Sequence, residues 1–175
     1  MDAFYRFCHL AGPAKCSFYA SSPDNIKLRL NNLLEIIRKH PVIVPAAKAS
    51  GRRPEIVSFS SVRRMIATSL YRPLVMFPPL AEALAELENQ NGSRFIELSG
   101  QGAGDPFICE SEPGPTPELP EVEGTADATH AISCSDTPLF NRTVDDLEEY
   151  VKILVGLSKA AGATMANMGL ACVGW

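Results

Sequence analysis

Apolar residues along this chain recur at three- and four-residue intervals, and no stretch alternates long enough to make a half-buried sheet. That spacing restricts the fold to packed helices. The sharpest instance is Ser21-Ser22-Pro23-Asp24, followed by Ile26, Leu30, Leu33, Leu34 and Ile37. Ser22 can accept from a free amide at a helix start, Pro23 suits the first helical position, and Asp24 complements the positive helix end. An amphipathic helix is therefore expected over residues 23–39. It ends at His40-Pro41, with His40 placed as a cation at the helix C-terminus.

Other segments carry the same spacing with weaker boundaries. Residues 3–11 read as a short helix stopped at Gly12-Pro13. Ser60 is expected to cap a helix through Val62, Met65, Ile66, Ser69 and Leu70, broken at Arg72-Pro73. Phe77-Pro78-Pro79-Leu80 is expected to open the next, with Leu80, Leu84 and Leu87 on one face and Asn91-Gly92 as its exit. Ala126 to Cys134 reads as helical. Thr143-Val144-Asp145-Asp146 is a capping-box start for a helix bearing Leu147, Val151, Leu154 and Leu157, with Gly162 as its stop. Pro41-Val42-Ile43-Val44-Pro45 reads as an extended edge or linker because proline brackets it.

Residues 99–127 differ in kind, with seven acids, no Lys or Arg, and no period. The expected fold class is mostly α. It is a single compact helical domain over 1–175, of about five or six helices, with a long irregular acidic loop at 99–127.

No apolar run approaches the ~20 residues of a membrane span, and Asp2 stands where a signal peptide would carry positive charge. The net charge of −4 hides an asymmetry. Residues 1–64 hold 11 Lys/Arg against 4 Asp/Glu, and the remainder is strongly acidic. The basic residues sit on two helix-like segments without aromatic interleaving, which favours solvated helix faces over a nucleic-acid surface.

Candidate chemistry is sparse. Cys8, Cys16, Cys109, Cys134 and Cys172 show no metal-type spacing, so neither a metal nor a cofactor is expected. His130 and Asp136 could form an acid/base pair, against the plainer reading of a surface His and a helix-terminal Asp. Tyr71, Arg72, Phe77, Tyr150 and Trp175 are candidates to line a ligand pocket between helices, against plain core packing. Gly100–Gly104 lacks the Gly-Lys-Ser/Thr ending of a phosphate loop. Leu98-Ser99-Gly100-Gln101-Gly102 lacks the first glycine of a nucleophile elbow.

Several strings carry a resemblance: Phe7-Cys8-His9-Leu10-Ala11-Gly12-Pro13-Ala14-Lys15-Cys16, Leu70-Tyr71-Arg72-Pro73, Phe77-Pro78-Pro79-Leu80-Ala81, Ala131-Ile132-Ser133-Cys134-Ser135-Asp136 and Cys172-Val173-Gly174-Trp175. In this order and spacing the chain resembles the helical lid of the fungal tripeptidyl-aminopeptidase-like branch of the α/β-hydrolase superfamily. The resemblance implies pairing of Cys8 with Cys16 and of Cys134 with Cys172. Buried reduced thiols are the alternative.

In that family the lid is inserted in the hydrolase core, so the nucleophile, the later Asp and the catalytic His find no positions here. A serine-hydrolase activity is not expected of this chain alone. Because it begins and ends at the lid's borders, the expectation is a stand-alone, lid-derived pocket protein of secondary metabolism. It would bind an apolar small molecule or peptide-like ligand, and act by positioning in a cyclisation, isomerisation or cycloaddition. The alternatives are a substrate-gating lid fragment and a protein-interaction module. A homodimer through exposed apolar surface is a further expectation. The location would be cytoplasmic for a full-length protein and secreted for a fragment of a secreted hydrolase.

Overall fold

The computed structural model describes residues 1–47, 53–99, 125–136 and 143–173. Most of the acidic stretch, Cys109 and Trp175 lie outside them. The chain is mostly α, and its contacts fall into two compact units, Met1–Asp105 and Pro106–Trp175.

The first unit contains α1 (Asp2–Ala11), α2 (Pro23–Lys39), β1 (Val42–Val44), β2 (Glu55–Val57), α3 (Phe59–Ser69), α4 (Pro73–Glu88) and α5 (Ser93–Ser99). The second contains α6 (Thr125–Ser135), α7 (Val144–Leu157) and α8 (Gly162–Leu170). The described residues thus hold eight helices where about five or six were expected. The additional ones include α5, too short at seven residues to show a period, and α8, whose small residues give little periodic signal.

Helix α2 starts and stops where its caps dictate. The Ser22 hydroxyl accepts from the Asn25 amide at 3.1 Å, Pro23 occupies the first position, and the His40 amide donates to the Ile36 carbonyl at 2.8 Å. Ile26, Leu30, Leu33, Leu34 and Ile37 are all buried. Arg29, on the same helix, ties three segments together. It lies 4.3 Å over the Phe18 ring, donates to the Tyr19 carbonyl at 2.7 Å, and forms a forked pair with Glu88 near the end of α4.

Three boundaries differ from the sequence reading. The cap of α3 is Ser58, not Ser60, in a reciprocal capping box with Ser61. Helix α4 begins at Pro73, and Pro78-Pro79 lies inside it. Those prolines remove two helical donors, but on the turn around exposed Leu74 and Val75, where water can satisfy the freed carbonyls. Gly162 does not end α7; Ser158 does, and Gly162 opens α8. A Cβ at Gly162 would collide with the Leu154 carbonyl, so glycine is there for close backbone approach.

The proline-bracketed segment pairs with a second strand that the periodicity did not reveal. Val42 pairs antiparallel with Val57, and Val44 with Glu55. Val42, Val44 and Val57 face inward while Ile43 and Ile56 face out, a two-residue alternation too short to register in a sequence window.

In the second unit the Thr143–Asp146 capping box forms as the sequence indicates, with the Thr143 amide 2.9 Å from the Asp146 carboxylate. No α7 residue is fully buried, and the Tyr150 ring lies against Gly169 of α8.

Cys8 is joined to Cys16, and Cys134 to Cys172, with Cα–Cα separations of 5.3 and 5.1 Å. Loop-closure entropy makes the longer loop the stronger constraint. Replacing both Cys8 and Cys16 by alanine is expected to cost about 2–3 kcal/mol, and replacing Cys134 and Cys172 about 4 kcal/mol, in urea unfolding. Equal midpoints for oxidised and reduced protein would contradict both assignments.

Candidate functional site

Helix α1 is apolar on two faces. Phe4, Tyr5 and Cys8 turn inward and are buried, whereas Phe7 and Leu10 are 55% and 74% exposed. The inward face packs against α4, where the Phe4 ring meets the Phe77 ring edge-on with centroids 5.2 Å apart. A cleft of about 130 Å³ lies between the two helices, with both rings in its lining. Phe4, Phe7, Cys8 and Ala11 line it from α1, and Phe77, Pro78 and Ala81 from α4. Lys15 and Cys16 close one side.

The segment carrying Lys15 is fixed by local chemistry. Gly12 leaves α1 at φ 76°, a conformation that favours glycine, and its carbonyl accepts from both the Lys15 and Cys16 amides at 3.2 and 3.0 Å. The Cys8–Cys16 bond then holds the turn against the helix. Just beyond, His9 donates from Nδ1 to the Ala20 carbonyl at 3.2 Å and stacks on Tyr19, so its ring is occupied structurally.

Two larger hollows, of about 210 and 270 Å³, have more polar walls, in which several groups are engaged in structure. In the first, the Thr68 hydroxyl donates to the Arg64 carbonyl and the Ser99 hydroxyl to that of Ile96. In the second, Arg29 and Glu88 pair with each other. The α1–α4 cleft is distinguished by having almost no polar lining, and Lys15 is its one charged group.

Three groups of the first unit titrate away from their ordinary values, and hydrogen bonds to Glu82 and then Glu97 raise the exposed Arg94 guanidinium. Burial, reinforced by Asp2, raises the Tyr5 phenol above its ordinary value. Burial, reinforced by nearby Arg38, lowers the Arg63 guanidinium. Neither Tyr5 nor Arg63 lines the cleft.

Of the five pocket candidates from sequence, Phe77 alone lines this cleft. Tyr71 is 75% exposed, and Arg72 is exposed as the N-cap residue of α4. Tyr150 belongs to the second unit, half-buried against Gly169, and Trp175 is outside the described residues. His130 and Asp136 are both exposed, and no hydrogen bond joins them; the Asp136 amide donates to the Ile132 carbonyl. Among the described residues no group of three His, Cys, Asp or Glu side chains is placed to hold a metal. No helix there is long and apolar enough to cross a membrane.

Phe7, Ala11, Lys15, Pro78 and Ala81 were missed. One signal was present: Leu74, Val75 and Pro78 follow helical spacing on one side of α4, away from Phe77, Leu80 and Leu84. An apolar second face on a surface helix marks a contact surface.

No family model, curated protein or solved structure matches the chain.

The two faces of α1 give an unequal pair of substitutions. Phe4→Ala is expected to destabilise the first unit by about 3–5 kcal/mol, and Phe7→Ala by about 0.5 kcal/mol or less. Comparable losses from the two variants, measured by denaturant unfolding, would mean that Phe7 is a core residue and that the cleft is closed.

Proposed function

We propose that the chain is a helical binding protein for an apolar small molecule, held at the α1–α4 cleft. The observation that carries this reading is the lining itself: eight of the nine residues around the cleft are apolar or cystine, and the rim continues into exposed Phe7, Leu10 and Pro78. A volume of about 130 Å³ accommodates a single ring or branched alkyl group, not a whole drug-sized molecule. The rest of a larger ligand, small molecule or peptide-like, would lie along the exposed rim.

Any reaction at such a site would proceed by positioning. The lining offers no nucleophile–base pair and one amine, so cyclisation, isomerisation or cycloaddition of a held molecule is the class that suits it. His130→Ala would leave such a reaction unchanged, because His130 is exposed on α6 and absent from the lining.

A second reading is the substrate-gating lid of a serine hydrolase, inactive by itself. The exposed stripe of Leu74, Val75 and Pro78 on α4, with Tyr71 exposed just before the helix, favours it, as does the joining of the four cysteines in the pairs that the resemblance implies. The same stripe is where a homodimer would form.

Toluene is a direct probe of the first reading. Added to isotopically labelled protein, it is expected to bind with a dissociation constant on the order of 1 mM. Amide shifts should be confined to the end of α1, residues 12–16 and the middle of α4, and Ala81→Leu should weaken them by filling the cleft. Shifts spread over the surface, or unchanged in Ala81→Leu, would overturn the reading.

A further inference from the structure

The cleft has an apolar floor and one cation at its mouth, and that combination selects a ligand. We infer that it takes a small-molecule monocarboxylate, with an aryl or branched alkyl end in the cleft and its carboxylate on the Lys15 ammonium. This rests on the proposed binding of an apolar group between α1 and α4.

The position of Lys15 is built, not incidental. Its backbone amide donates to the Gly12 carbonyl at 3.2 Å, the next residue is anchored by the bond to Cys8, and the side chain is part of the cleft wall. Among the described residues Lys15 has no ion-pair partner, while Arg29, Arg38, Arg94 and Lys152 each have a carboxylate. The ammonium is thus the one charge that an incoming ligand meets on the cleft wall.

The count of cations decides the class of anion. A phosphate or other dianion is ordinarily held by several donors, such as a forked arginine or a run of backbone amides. One lysine matches one negative charge. The aromatic floor of Phe4 and Phe77 and the small Ala81 leave room for a ring, whose burial supplies most of the affinity. An exposed pair adds about a 3–5-fold preference, enough to choose between a carboxylate and its neutral analogue.

The test compares 3-phenylpropionate, 3-phenylpropionamide and 3-phenylpropylamine by amide-shift titration of the full chain. At low salt the carboxylate is expected to bind about 3–5-fold more tightly than the amide, and the amine more weakly than both. Lys15→Met keeps the apolar stem and removes the charge. It should bring the carboxylate and amide to equal affinity, as should about 0.5 M salt in the unsubstituted protein. Equal binding of acid and amide to the unsubstituted protein would overturn the inference and leave the apolar cleft standing. So would an equal weakening of both by Lys15→Met, which would mean that the stem, not the charge, makes the contact. Binding of none of the three at the cleft would overturn the inference and the underlying reading together.

Discussion

The edge-on contact between Phe4 and Phe77 is the interaction on which the candidate site depends. The two ring centroids are 5.2 Å apart across α1 and α4, and both rings line the space between these helices. That space becomes a cleft only because the neighbouring side chains are small or kept outward: Ala81 lies beneath it, and Phe7 and Pro78 stand at its rim. The cystine between Cys8 and Cys16 then decides what reaches the opening, since it fixes the turn that carries Lys15. Packing, a covalent tie and one charge therefore act on the same few residues.

The second unit is held differently. Helix α7 buries no residue completely, and its pairing with α8 relies on glycine at two places, Gly162 against the Leu154 backbone and Gly169 under Tyr150. Small residues permit close approach but bury little apolar area, so the Cys134–Cys172 tie carries a larger share of the ordering than its counterpart does in the first unit. His130 and Asp136 are exposed here, on and just after α6, and no hydrogen bond among the described residues joins them.

Helix α2 was legible to the residue because two independent signals, Ser22 as cap and Pro23 at the first position, coincide. The start of α7 was legible for a similar reason, with Thr143 and Asp146 satisfying each other's amides. Helix α4 was misjudged because Pro73 and Pro78-Pro79 are each a plausible start. Local propensity does not say which prolines will find their lost carbonyl partners replaced by water. The β1–β2 pair joins residues on either side of 48–52, so neither strand advertises its partner.

The site was the least legible part. Its wall is drawn from residues 4–11, 15–16 and 77–81, and only the tertiary packing of α1 on α4 brings Lys15 to Ala81. Aromatic residues drew attention in the sequence, yet Tyr71 faces solvent. The decisive positions were a lysine in a turn and an alanine in a helix, residue types that carry no local signal.

An apolar space between α1 and α4 that takes a ligand would also take a noble gas. A crystal of the protein under xenon pressure tests it most directly, because xenon enters apolar cavities without hydrogen bonding or charge. An anomalous peak in contact with Phe4, Phe77 and Ala81 is expected. A peak confined to other sites, with the Phe4 and Phe77 rings closed over Ala81, would contradict it.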